Sequence, residues 1–253
     1  FSYDWRKPVE DEAQRLAQVA EAAFTAREGS GQPVRFVAHS MGGVVVRTLQ
    51  LEAPDLFERL MARPGARVLM LGTPNGGSWA PMQVLSGDDS FGNTLVAFGA
   101  PFQDHKARAL MAAMPGFLQL QAALTDSNQG LADSATWQRL ADQDLAAVRE
   151  RNWWHSGEIQ LNEYTWGVPP QPVLDQALRL RQRLDEQRDK TLARFCDKLL
   201  LVVGRAKFTP DGFSFDGSEG LCYLNAVEAG DGLRVLSGEV RAGGEVVVIV
   251  LEK

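Results

Sequence analysis

The most constraining feature of the sequence is a serine at the junction of a predicted strand and a predicted helix. Ser40 lies within RFVAHSMGGVVVRTL, where VRFVA predicts a buried strand and residues 43–52 follow helical spacing. A direct strand-to-helix turn brings the two elements very close, so small residues are needed two positions before and two after the serine. Ala38 and Gly42 occupy those positions. This order of residues predicts a nucleophile elbow, a strained turn that lifts the serine hydroxyl above the sheet.

The residues that flank the serine suggest what the turn could do. At an elbow, the Met41 amide and the N-terminus of the following helix face a developing oxyanion. The alternative is a buried serine that caps the helix after it. His39 adjoins Ser40, and a sharp turn directs adjacent side chains apart, so we expect His39 to support the loop rather than to act as a base.

Two further apolar segments, RVLMLG (67–72) and KLLLVVG (198–204), predict buried strands that end in glycine. A helix is expected before the elbow, beginning near Pro8 with acidic residues in its first turn and ending at Gly29. Apolar strands that alternate with amphipathic helices predict an α/β fold, with a mainly parallel sheet and helices on both faces. Ligands of such sheets bind beyond the carboxyl ends of the strands, where Ser40 and GTPNGG fall.

Between Ser78 and about Arg194 the alternation stops, and a mostly helical pattern holds five of the six tryptophans. A segment of this length predicts a large helical cap insertion rather than a loop, and we expect it over the carboxyl ends of the strands. The predicted segments are the first part of the core (1–78), the cap (79–194) and the last part of the core (195–253). The last segment ends in a predicted strand, EVVVIVL.

Composition narrows the expected partners. The net charge of -6 and the lack of a basic block argue against nucleic acid. The longest apolar runs are too short to span a bilayer. Two cysteines, Cys196 and Cys222, suggest neither a disulfide scaffold nor a metal site and slightly favour a cytoplasmic setting. GTPNGG lacks the ending of a phosphate-binding loop, and we expect no cofactor.

Several stretches together carry a family resemblance. FSYDWR, VAHSMGGVVVR and MLGTPNGGS resemble the lecithin:cholesterol acyltransferase-like lipases of the α/β-hydrolase superfamily, and VVGRAKFTP with GLCYLNAVEAGDG is similar to that family's last conserved section. The resemblance covers most of residues 1–78 and 198 to about 232. It implies an α/β-hydrolase that hydrolyses or transfers the acyl group of a lipid-like ester through an acyl-enzyme on Ser40. It also implies that Asp231 is the acid of a catalytic triad.

The same resemblance suggests further site residues. Thr73 and Pro74 match the family's loop beside the active site, and Trp5 in FSYDWR is a candidate substrate contact. Asp211 and Asp216 compete with Asp231 for the role of acid. Apolar cap residues could line an acyl-chain pocket, with transient contact to a membrane surface, or form the cap's own core; they are Phe91, Phe98, Phe102, Phe117, Leu118, Trp153, Trp154 and Trp166.

A triad also needs a histidine, which follows the acid in this fold. The three histidines, His39, His105 and His155, all precede Asp231. We therefore expect the base and the second oxyanion amide to lie outside the 253 residues, in a longer polypeptide. We also expect FSYDW to be the end of a strand. The alternative function is a degenerate, non-catalytic module used for binding within a larger protein. A peptidase, thioesterase or amidase of the same fold is also compatible with these residues.

Overall fold

Four parallel strands form the sheet of this computed structural model, which describes residues 1–87, 104–151, 166–204, 209–216, 220–225 and 246–248. They are β1 (Arg35–His39), β2 (Arg67–Leu71), β3 (Leu199–Val203) and β6 (Val246–Val248), in the spatial order β1-β2-β3-β6. The register places His39 beside Leu71 and Leu71 beside Val202. The predicted strands and their parallel pairing are confirmed, and the carboxyl ends of β1, β2 and β3 therefore meet at one edge.

Among the residues that the structure describes, β1 is covered on one of its two faces. Phe36 and Ala38 are buried, whereas Val37, which points to the opposite face, is 71% exposed. Successive side chains of a strand alternate between the two faces of the sheet, so a one-sided cover produces this pattern. The expected helices on both faces are not seen along β1 in the described part of the chain.

Three helices accompany the first two strands: α1 (Val9–Ala26), α2 (Met41–Glu52) and α3 (Pro54–Ala62). Helix α1 follows Pro8 as predicted, has acidic residues in its first turn, and packs an apolar face against α2. The predicted C-cap at Gly29 is wrong: Arg27 occupies the C-cap position. The left-handed residue is Gly31, with φ 68° and an amide that donates to the Arg27 carbonyl at 3.0 Å.

The predicted strand at FSYDW is also wrong. Residues 1–4 have no regular secondary structure, and residues 5–7 form turns and a bend. The Asp4 carboxylate accepts hydrogen bonds from the Arg6 amide and guanidinium, and the Lys7 amide donates to the Asp4 carbonyl at 3.1 Å. These local hydrogen bonds hold the backbone in a turn, where an extended strand would need a neighbouring strand instead.

The described residues fall into two compact units. The first comprises Phe1–Gly77, Leu180–Lys207 and Leu233–Lys253, and the second comprises Ser78–Arg179 and Phe208–Gly232, as far as the structure describes them. The predicted segmentation ends the cap at residue 194 and assigns the later residues to the core. It stays a prediction: the second unit begins next to the predicted start of the cap, but its first segment ends at Arg179 and it also includes described residues after Phe208.

The second unit combines helices with a hairpin. Its helices are α4 (Ala80–Ser86), α5 (Asp104–Ala112), α6 (Pro115–Leu118), α7 (Ser134–Arg151) and the first part of α8 (Gln171–Lys190), and its strands β4 (Pro210–Asp216) and β5 (Gly220–Asn225) pair antiparallel. Among the helices of the described ranges, none is both long and apolar enough to cross a membrane.

The interior of the second unit is an apolar cluster that includes three of the candidate pocket residues. Phe117, Leu118 and Trp166 are buried in it. The Trp166 indole donates to the Asp144 carboxylate at 2.9 Å, and the Leu221 amide donates to the same carboxylate at 3.0 Å. In the structure these three residues are packing residues of the unit's core. The other candidates, at positions 91, 98, 102, 153 and 154, lie outside the described residues.

Candidate active site

Ser40 has a backbone conformation that side-chain-bearing residues rarely adopt. Its φ of 51° and ψ of -129° lie in the positive-φ region, at the single residue that separates β1 from α2. Such a conformation costs on the order of 1–3 kcal/mol and persists only where the surrounding structure enforces it. Ser40 is exposed, and its side chain makes no capping hydrogen bond to α2. The alternative of a buried helix-capping serine is therefore wrong.

The backbone around Ser40 is held by hydrogen bonds on both sides of the turn. The Ser40 amide donates to the Leu71 carbonyl at 2.9 Å, which continues the β1–β2 ladder into the turn. The Ser40 carbonyl accepts from the Gly43 amide at 3.1 Å, which begins the helix immediately. These two bonds enforce the abrupt change of direction, and with it the exposed position of the serine.

The first turn of α2 lies directly behind the serine. Met41 is the first residue of the helix, and its side chain is buried. The amides of a first helical turn have no acceptor within the helix, and they carry the positive end of the helix dipole. An anion that forms on a group bound at Ser40 would meet this end of the helix. The oxyanion role of the Met41 amide stays a prediction.

The closest packing in this turn is at Gly43 rather than at Gly42. A Cβ atom on Gly43 would lie 2.0 Å from Thr73 Oγ1 and 2.5 Å from Thr73 Cγ2. A Cβ atom on Gly42 would lie 3.9 Å from both Ala38 Cβ and Tyr3 Oη, which is ordinary contact. A small residue was predicted to be needed at Gly42, whereas in the structure the more tightly packed position is Gly43.

Thr73 belongs to a short loop that follows β2. In this loop, residues 72–77, the Asn75 amide donates to the Thr73 carbonyl at 2.9 Å and the Gly77 amide donates to the Pro74 carbonyl at 3.0 Å. Thr73 is buried, and its Oγ1 has no hydrogen-bond partner among the described residues. The predicted substrate contact at Thr73 stays a prediction, and the structure shows the side chain packed against Gly43.

The other two predicted substrate contacts are more accessible. Pro74 is half-buried in the same loop, and Trp5 is 42% exposed in the turn that precedes α1.

Tyr3, which was not predicted as a site residue, places its hydroxyl near Gly42 at the first turn of α2. Burial raises the pKa of Tyr3 above its ordinary value. Its hydroxyl therefore stays protonated at neutral pH and can donate a hydrogen bond.

A buried arginine supports the loop from the second turn of α2. Arg47 is 4% exposed, and its guanidinium donates to the carbonyl and side-chain oxygens of Asn75, at 3.2 Å each. Burial is the main reason why the pKa of Arg47 falls to about 9, and the nearby Arg181 lowers it further. Arg47 remains protonated at neutral pH. An arginine inside the otherwise apolar run GGVVVRTL is the signal from which sequence reasoning could have predicted such a contact.

The remaining triad candidates are only partly described. Asp231 and His155 lie outside the described residues, as does the side chain of His105 in α5. Asp211 and Asp216 lie on β4 in the second unit, and His39 is exposed at the end of β1. The structure therefore places the predicted nucleophile, while the acid and the base stay predictions. Within the described ranges, no group of three or more His, Cys, Asp or Glu residues could hold a metal ion.

A parallel sheet with an exposed, positive-φ serine between a strand and a helix is the arrangement of an α/β-hydrolase. Comparison with protein families gives the same class. The family described as lecithin:cholesterol acyltransferase matches residues 1–151, which is more than half of the 253-residue chain. The chain belongs to the lecithin:cholesterol acyltransferase family, whose members are generally acyltransferases or esterases of lipid substrates. No curated protein matches the sequence.

Proposed function

We propose that this protein is a serine esterase or O-acyltransferase that acts on lipid-like esters through an acyl-enzyme on Ser40. The observation that carries the proposal is the backbone of Ser40, with φ 51° and ψ -129° between β1 and α2, in an exposed residue. A non-glycine residue held in such a conformation is a feature of functional sites. Membership of the lecithin:cholesterol acyltransferase family supports the lipid substrate class and the acyl chemistry.

The proposed reaction has two steps that share one nucleophile. In the first step, Ser40 Oγ attacks the ester carbonyl carbon while a general base takes its proton, and the resulting oxyanion is stabilised by the Met41 amide. The bond between the carbonyl carbon and the alcohol oxygen then breaks, and the alcohol leaves with the proton. In the second step, water or an acceptor alcohol attacks the acyl-enzyme, which yields a free acid or a new ester and restores Ser40.

The remaining roles rest on the family resemblance. Asp231 is proposed as the acid that orients a catalytic histidine, in the usual chain order of serine, acid and histidine. Pro74 and Trp5 are proposed as substrate contacts. The loop that contains Pro74 follows β2, and Ser40 follows β1. Because β1 and β2 are neighbours in the sheet, Pro74 and Ser40 lie near the same edge.

Labelling with a fluorophosphonate tests the proposal directly. The polypeptide encoded by the gene is treated with the reagent, and the adduct is located by peptide mapping. We expect one adduct, on Ser40, which is lost in Ser40→Ala. Ser30→Ala is the matched control, because Ser30 is also an exposed serine in a turn, with its hydroxyl donating to the Arg27 carbonyl.

The alternatives predict different results in the same experiment. A folded protein that forms no adduct at Ser40 would support the degenerate binding module. An adduct on another residue that survives in Ser40→Ala would assign the nucleophile elsewhere. Hydrolysis of p-nitrophenyl esters of increasing chain length tests the substrate class, because a site for lipid-like acyl groups should prefer the longer chains.

A further inference from the structure

Arg47 is a buried cation, and its hydrogen-bond acceptors among the described residues are neutral oxygens. Besides both Asn75 oxygens, its guanidinium donates to the Leu184 carbonyl at 2.6 Å and to the Gln187 side-chain oxygen at 3.1 Å. The carboxylate that acts on its charge, Asp185, forms its own ion pair with Arg181 at 3.1 Å. A buried charge without a contacting counter-ion costs folding free energy. An apolar residue would suit an otherwise buried helix better, so the arginine needs another explanation.

The guanidinium joins three separate elements of the first unit. It extends from α2 to the 72–77 loop through Asn75, and to the second half of α8 through Leu184 and Gln187. Gln187 completes the cluster: its amide donates to the Arg47 carbonyl at 2.7 Å and to the Gln50 side-chain oxygen at 2.6 Å. Only a planar donor with several N–H groups in fixed directions can serve these acceptors together, and a lysine cannot.

The loop that Arg47 holds is the one that packs against the elbow. Thr73 in this loop contacts Gly43 in the first turn of α2, and the Gly43 amide donates to the Ser40 carbonyl at 3.1 Å. Arg47 extends from the second turn of the same helix to Asn75, two residues after Thr73. The loop is therefore attached to α2 at two points, by packing at Gly43 and by hydrogen bonds at Arg47.

We propose that Arg47 is a positioning residue for Ser40. Arg47 holds the 72–77 loop against α2 through Asn75. Its effect on catalysis rests on the proposed function, whereas its effect on the loop does not. Arg47→Lys is the informative variant because it retains the positive charge and removes the planar set of donors. Arg181→Lys is the matched control, since Arg181 is equally buried, lies in the same unit and pairs with Asp185 on its own helix.

Amide hydrogen exchange of the loop tests the proposal without any assumption about activity. We expect Arg47→Lys to accelerate exchange of the Asn75 and Gly77 amides about 10-fold, as one or two lost hydrogen bonds would. Arg181→Lys should leave these amides within about 3-fold of the wild type. Equal exchange in the two variants, or unchanged exchange in Arg47→Lys, would overturn the proposal. If Arg47→Lys does not fold, Asn75→Ala tests the same contact by removing the side-chain acceptor while the backbone carbonyl remains, and a smaller acceleration in the same direction is expected.

The rate of fluorophosphonate labelling at Ser40 tests the catalytic consequence. We expect Arg47→Lys to lower the maximal labelling rate by about 10- to 100-fold, with little change in reagent affinity, because small displacements of reacting groups have effects of this size. Asn75→Ala should act in the same direction, and adding it to Arg47→Lys should have little further effect. Additive losses, or equal losses in Arg181→Lys, would contradict positioning. An unlabelled wild type would instead overturn the proposed function, and hydrogen exchange would still decide the role of Arg47.

Discussion

The surroundings of Ser40 in the first unit and the apolar cluster of the second unit use their buried residues in different ways. Beside Ser40, the first unit buries Arg47 and Thr73 and holds the serine itself in a costly conformation. The second unit buries Trp166 with other aromatic and aliphatic side chains in a continuous apolar cluster. Strain and buried charge destabilise a fold, so their presence beside Ser40 indicates a requirement other than stability. The apolar cluster is explained by packing alone.

The largest effect on stability is expected in the second unit. Trp166→Ala removes a buried indole and leaves the Asp144 carboxylate without one of its donors. Substitutions of this kind cost about 3–5 kcal/mol of unfolding free energy. Chemical denaturation measures the loss, and Trp5→Ala is the control, since an exposed tryptophan should cost about 1 kcal/mol or less. Similar losses in the two variants would contradict the assignment of Trp166 to the core.

A smaller effect is expected in the first turn of α2. Gly43→Ala forces a Cβ atom against Thr73, and overpacking of this kind costs about 1–3 kcal/mol. Gly42→Ala has room for its Cβ atom, and the higher helix propensity of alanine could stabilise it by up to about 1 kcal/mol. Denaturation curves of both variants and of Gly43→Ala/Thr73→Gly measure the difference. The double variant should recover part of the loss, and a more damaging substitution at Gly42 would show that the packing is described wrongly.

The smallest effect concerns the strain at Ser40. Glycine accepts positive φ without cost, whereas alanine does not, so Ser40→Gly should be more stable than Ser40→Ala. Relief of the strain should stabilise Ser40→Gly by about 1–3 kcal/mol relative to Ser40→Ala. The greater flexibility of glycine in the unfolded chain offsets about 0.4–1 kcal/mol of this gain. A net difference of about 1–2 kcal/mol in unfolding free energy is expected. Equal stability of the two variants would mean that the turn is not strained.

The turn from strand through Ser40 to helix could be predicted from sequence because its signals are local. An apolar strand, a small residue, the serine and a helical period follow one another within RFVAHSMGGVVVRTL, and the backbone of Ser40 agrees with them. FSYDW shows the limit of such signals, because its aromatic residues are typical of a strand, but the hydrogen bonds of Asp4 hold the chain in a turn. The β4–β5 hairpin was not predicted either, since PDGFSFD contains residues that disfavour strands.

Contacts between distant residues could not be predicted. Arg47 contacts Asn75, 28 residues away, and Gln187, 140 residues away, and no local pattern names either partner. The same holds for the position of Thr73 against Gly43. Aromatic residues such as Trp166 were open to two readings, because a pocket and a core have the same composition. Only the packing distinguishes between them.

In the proposed reaction, Ser40 carries the acyl group between the two steps. The most direct measurement is to mix the encoded polypeptide with a p-nitrophenyl ester, stop the reaction with acid within milliseconds to seconds, and map the peptides by mass spectrometry. We expect an acyl group on the peptide that contains Ser40, formed before steady-state turnover and absent in Ser40→Ala. Ester turnover without acylation of Ser40, or with an acyl group on another residue, would contradict it.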